Sequence, residues 1–185
     1  MTSEIALFPL NHVLYPGSEL PLRVFELRYR RMLDLCGRQR PFGVVRIRFG
    51  NEVGDPAFPY DVGCAGYLVD RIALPDGSLA IQVVGDRRFR IESLRVEDDG
   101  LTMAKVSWLP PDPPVPVPPG LKPVAESFAE VGDPPDSAGM LAWRLAEALP
   151  LTLDDRQELL EEDDPGTRLQ WVQAWLRNHP GDFSA

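Results

Sequence analysis

Four side chains in this sequence have the chemistry of a zinc site: His12, Cys36, Cys64 and His179. Imidazoles and thiolates hold zinc best when they come in close sequence pairs, because one turn then presents two ligands. Here the separations are long, and neither C-x-x-C nor H-E-x-x-H occurs. No metal and no cofactor is expected. Cys36 reads as a small core residue on a helix and Cys64 as a strand residue. Neither lies at an electropositive helix start that would lower a thiol pKa. His12, inside FPLNHVLYPGSELPL (8–22), has no acid, base or metal partner in the pattern and reads as a loop residue. His179 reads as an exposed helix-end residue, where a protonated imidazole suits the dipole. The run Glu161-Glu162-Asp163-Asp164 lacks the alternating ligands and central glycine of a calcium loop, and reads as a solvated helix end. Phosphate loops, dinucleotide fingerprints and nucleophile elbows are absent too, so the residues point away from an enzyme.

The arginines are the remaining polar candidates. Arg46 and Arg48 alternate with Ile47 and Phe49 on one strand, while Arg87, Arg88 and Arg90 crowd another around Phe89. Arg88 and Arg90 share one face of an extended chain. Such a group suits a phosphate or an acidic peptide, or it is a solvated face with local ion pairs. Residues 1–109 hold 14 Lys/Arg and 14 Asp/Glu, and that neutral balance favours the second reading. Phe58 and Tyr60 sit in the breaker-rich loop GNEVGDPAFPYD (50–61). They are candidate contacts for a binding partner, with rings packed under their own loop as the alternative. The candidate binding set is therefore Phe58, Tyr60, Arg46, Arg48 and Arg88.

The 185 residues that must position these groups are 44% hydrophobic and 25% charged, ordinary values for a globular protein. No run approaches the roughly 20 apolar residues of a membrane span, and MTSEIALFPL lacks the features of a signal peptide. A cytoplasmic location follows by default. The net charge of −9 lies wholly in residues 110–185, with 5 Lys/Arg against 14 Asp/Glu. An acidic half disfavours nucleic acid and anionic lipid as partners.

The sharpest boundary is the stretch 110–123, where eight of 14 residues are proline. Fixed φ and missing donors favour an extended, semi-rigid connector over a ligand for a proline-binding domain. The expected division is 1–109, the connector 110–123, and 124–185. The first part reads as β: IALF (5–8) ended by Pro9, then FGVVRIRF (42–49). VGCAGYLVDRIAL (62–74) and SLAIQVVG (78–85) form a hairpin around Pro75-Asp76-Gly77. RRFRIESLRV (87–96) and LTMAKVSW (101–108) form a second. Tyr15-Pro16-Gly17-Ser18 suits a type II turn. One helix is expected over 25–36, with Phe25, Tyr29, Met32, Leu33 and Cys36 on its apolar face. About six closely spaced strands suggest a small, nearly closed sheet. The last part reads as a helical bundle, with helices near 123–131, 137–149, 153–162 and 165–178. Thr152 to Asp155 has the shape of a capping box, and Asp164-Pro165 that of an N-cap followed by proline.

The β part resembles the N-terminal substrate-binding domain of Lon proteases. FPLNHVLYPGSELPLRVFELRYRRML (8–33) is similar to the family's opening P-L…V-L-[FY]-P-G…L-P-L…F-E…Y. FGVV (42–45) with Glu52-Val53-Gly54, VGCAGYLVD (62–70) and LPDGSLAIQVVGDRRFRI (74–91) follow in the family's order. Beyond the connector, Leu149-Pro150, Arg156 to Glu161 and Arg168-Leu169 are similar to its L-P…L-L-E…R-L segment. The resemblance implies an α+β fold: a PUA-like six-stranded pseudo-barrel with one early helix, then a helical bundle. It implies structural roles for Pro16, Gly17, Glu26, Tyr29, Gly85, Arg88 and Phe89, with Glu26 expected to pair with Arg88. It further implies a stand-alone, noncatalytic module for other proteins or unfolded peptide segments, without the ATPase and protease modules. No Walker motif occurs, and the only lysines are Lys105 and Lys122. RNA binding, as in PUA-like barrels, is the alternative; an undetected hydrolase or lyase ranks below it.

Overall fold

The computed structural model describes residues 2–130 and 132–179. The chain divides into two compact units, Met1–Pro111 and Asp112–Ala185. The fold is mixed α+β. The first unit contains β1 (Thr2–Leu10), β2 (Glu19–Val24), α1 (Leu27–Cys36), β3 (Phe42–Phe49), β4 (Phe58–Pro59), β5 (Val62–Ala73), β6 (Leu79–Val96) and β7 (Thr102–Trp108). β1 pairs with β7, β7 with β6, β6 with β5 and β5 with β3, all antiparallel. β3 then pairs in parallel with the second half of β1, so the circuit returns to its start. β4 adds to β3, and β2 adds to β6 alone.

Two details differ from the sequence pattern. β1 does not stop at Pro9, because proline lacks only a donor and already has an extended φ; Pro9 stays in register with Val45. The segments 78–85 and 87–96 form one strand, β6, which changes neighbours along its length. Its first part, from Leu79 to Val84, pairs with β2, and its second, from Phe89 to Val96, pairs with β7.

The change of neighbour falls at Gly85. The turn at Tyr15–Ser18 closes with Ser18 N–H donating to the Tyr15 carbonyl at 3.1 Å, and Gly17 takes φ 78°. That turn crosses β6 so closely that a Cβ at Gly85 would stand 2.1 Å from the Tyr15 oxygen. Only glycine fits there. Phe89, fully buried, anchors the core with Ile5, Leu7, Val45, Ala65, Ala104 and Val106. Its ring lies against the backbone of β3 and β5, where a Cβ at Gly43 or Gly63 would come within 2.6 and 2.7 Å of it.

The second unit contains α2 (Lys122–Ser127), α3 (Ala138–Ala148), α4 (Leu153–Glu161) and α5 (Pro165–Asn178). The helix expected over 123–131 is shorter, passing into a 3-10 turn at Phe128–Glu130; residue 131 lies outside the described residues. Thr152 and Asp155 form the full capping box of α4. The Asp164 carboxylate caps α5 by accepting from Thr167 N–H, and Pro165 follows it. Part of the proline-rich stretch is tied down here: Ala138 N–H donates to the Val115 carbonyl at 2.8 Å, and Pro116 bridges Ser137. Asp112 receives both Nη atoms of Arg168, at 2.7 and 2.9 Å. Arg168 is fully buried, with its guanidinium 3.6 Å from the Trp143 ring centroid. Gly139 leaves the room, since a Cβ there would meet Asp112 at 2.4 Å.

Candidate functional site

β2 shapes an apolar cleft of the first unit. Gly85 N–H donates to the Ser18 carbonyl at 2.9 Å, which fixes the register of β2 on β6. Leu20 and Val24 are buried, while Glu19, Pro21 and Arg23 are exposed. The chain then enters α1, whose Tyr29 ring packs on Phe8 with centroids 4.3 Å apart. Between these elements lies a cavity of about 210 Å³, bordered by Leu10, Leu22, Phe25, Glu26, Tyr29 and Val53 among others. Phe25 is 54% exposed and Val53 55% exposed, so apolar surface is left uncovered at its rim.

The polar groups around this cleft are tied to neighbours within the first unit. Glu26 takes Arg28 as its ion-pair partner at 2.9 Å, in place of the expected Arg88. The Arg28 guanidinium is buried and donates to the Gly100 carbonyl at 3.2 Å, across to the turn between β6 and β7. Burial pushes the Tyr29 phenol up to about 12, partly offset by the Arg28 charge 4.7 Å from its ring. Tyr29 therefore stays neutral and presents a ring, not a base. Glu52 accepts from Asn11 N–H. Arg23 pairs with Asp76 and donates to the Ser78 hydroxyl.

A second surface lies on β3 and β4, where the sequence-derived candidates meet. Phe49 stands opposite Phe58, and they are 66% and 55% exposed. Arg46 lies 4.7 Å over the half-buried Tyr60 ring; Arg48 lies 5.8 Å from Tyr60 and 5.6 Å from Phe49. Arg88 does not join them. It is buried in β6 opposite Cys64, so it is no surface contact, and Arg87 instead covers Trp108 at 3.9 Å.

The cleft was missed because of one boundary. Phe25 belongs to an apolar stripe only if the helix begins at residue 25; it begins at Leu27, which takes Phe25 out of helical register. Arg28, which is outside the expected apolar face, is buried as well. The zinc-type residues stay apart in role. His12 is exposed, and His179 stacks on Trp175 at the end of α5. Burial pushes the Cys36 and Cys64 thiols up, which removes their nucleophilic form. Among the described residues no group of three or more His, Cys, Asp or Glu could hold a metal ion. No helix among them is long and apolar enough to cross a membrane.

Comparison with known proteins fits this geometry. The model of the ATP-dependent protease La (LON) substrate-binding domain matches residues 4–131. A Lon protease of Cytophaga hutchinsonii is 29% identical over 92% of this chain and 23% of its own length. Lon protease 2 of Syntrophobacter fumaroxidans is 30% identical over 60% of this chain and 14% of its own. The chain thus spans 23% or less of these two curated relatives. Among solved structures, a Lon N-terminal domain protein from Xanthomonas campestris superposes with TM-score 0.78 and 38% identity, covering 94% of this chain and 98% of that one. The N-terminal domain of a Mycobacterium avium complex Lon protease gives TM-score 0.70 at 16% identity, a likeness of fold, over 96% of this chain and 100% of that one.

Proposed function

We propose a function from one premise: the chain belongs to the LON substrate-binding domain family. It acts as a noncatalytic recognition module that holds exposed segments of other proteins. The observation that carries this reading is the uncovered apolar rim of the cleft, Phe25 and Val53, above the buried Tyr29 ring. The arginine-flanked pair Phe49 and Phe58 supplies a further contact surface. The volume supports a side-chain anchor rather than a small-molecule site: about 210 Å³ falls below the roughly 300–1,000 Å³ usual for small ligands. The return of the strand pairings to β1 supports the PUA-like pseudo-barrel reading: five strands make the circuit, and β2, laid on β6, is the sixth.

An array of peptides cut from unfolded proteins tests the proposal. The wild-type protein retains a subset of them. A Phe25→Ser, Val53→Ser double variant loses that subset by roughly tenfold, about 1.4 kcal/mol of binding. Its stability stays within about 0.5 kcal/mol, because both side chains are exposed. No retained peptide, or retention indifferent to the double variant, would contradict the reading.

A further inference from the structure

β2 has one paired edge and one open edge, and the backbone direction at each residue is fixed. Gly85 N–H donates to the Ser18 carbonyl, so Ser18 points its backbone at β6. Backbone groups alternate along an antiparallel strand. Leu20, Leu22 and Val24, opposite Val83, Ile81 and Leu79, therefore also face β6. Glu19, Pro21 and Arg23 turn their backbone groups the other way. Pro21 confirms this direction, because proline is tolerated where no ladder donor is needed. No other strand pairs with β2 among the described residues. Pro21, Leu22, Arg23 and Val24 border the apolar cleft.

We infer that the cleft takes its occupant by strand addition: an extended peptide pairs with the open edge of β2 and seats an apolar side chain beside Phe25 and Val53. The inference rests on the recognition reading given above. The edge offers the Arg23 N–H and the carbonyls of Pro21 and Arg23, and only extended backbone satisfies such a row. The peptide is apolar at alternate positions and basic between them. Of the charged groups bordering the cleft, Glu26 is balanced by Arg28 and Arg23 by Asp76, whereas Glu52, among the described residues, takes only the neutral Asn11 N–H and leaves the rim negative. A second copy of this chain is the poorer occupant, because two β2 edges would each bring a proline without a donor.

The probe is a short peptide alternating leucine with lysine and threonine, together with a series carrying one backbone N-methyl group at each position in turn. Strand addition predicts affinity losses of about tenfold at every second position and little between them, the size of one lost backbone hydrogen bond. It predicts slower hydrogen exchange at the Arg23 amide when peptide is bound, and weaker binding when the lysines become glutamates. Binding with losses that ignore the alternation, or with Arg23 exchange unchanged, overturns strand addition and leaves the recognition reading standing. No binding by any peptide overturns both. A concentration-dependent dimer that protects Arg23 without peptide assigns the edge to a second copy and overturns the inference.

Discussion

Arginine meets aromatic rings in both units, with opposite consequences. In the helical unit Arg168 is sealed from water, 3.6 Å from the Trp143 centroid and forked onto Asp112. In the sheet unit Arg46 and Arg48 cover Tyr60 and Phe49 at the surface, beside the exposed Phe58. The helical unit carries the whole −9 charge, yet it turns a cation inward and uses it as a fastener. The sheet unit sums to zero and leaves apolar groups uncovered. The difference teaches that net charge does not locate the recognition surface here. In the proposed reading, uncovered rings and an unpaired strand edge do.

The largest expected effect tests the fastener. Replacing Arg168 by alanine removes the fully buried half of its fork with Asp112 and its packing on Trp143, and should cost about 3–5 kcal/mol in the helical unit, read by chemical denaturation. A loss no larger than that of a surface pair, below about 1 kcal/mol, would break the contrast between the buried and the surface arginines. A smaller effect sharpens it. Thr152→Ala removes the reciprocal cap of α4 and should cost about 1 kcal/mol, showing how much of that unit rests on local chemistry.

The smallest effect concerns pH. The Arg31 side chain, hydrogen-bonded to Asp99, holds that carboxyl below the ordinary range. The Ser78 hydroxyl and amide do the same for Asp76, ahead of Arg23. A carboxyl with a depressed folded-state pKa contributes stability that is complete above its unfolded pKa and lost as pH falls through the folded value. Thermal stability should therefore hold above about pH 4 and decline below it. Asp99→Asn should flatten that acid limb slightly, as expected for an exposed pair. A steep dependence between pH 6 and pH 8, measured by melting curves, would contradict this assignment.

Much of the fold was legible because local chemistry spelled it out. Proline and glycine marked the Tyr15–Ser18 turn and the Asp76-Gly77 hairpin, and Asp164-Pro165 marked the start of α5. Features set by tertiary packing were not legible. Nothing local shows that β6 runs unbroken through Gly85, because its two neighbours arrive from distant parts of the chain. Asp112 inside a proline-rich run gave no sign of its partner 56 residues on. Of the sequence candidates, Arg46 and Arg48 lie over the Tyr60 ring, and Phe58 stands opposite Phe49 on the same strand pair. Phe25, at the proposed cleft, was not legible as exposed, because the helix starts two residues later than its apolar stripe suggested.

The central claim is that the first unit holds extended polypeptide in the cleft beside β2. The most direct test is amide chemical-shift mapping during titration with the leucine–lysine–threonine peptide. The account predicts saturating shifts centred on Arg23, Phe25, Tyr29 and Val53. Shifts confined to the helical unit or to the Phe49–Phe58 surface, with the cleft residues unmoved, would contradict it.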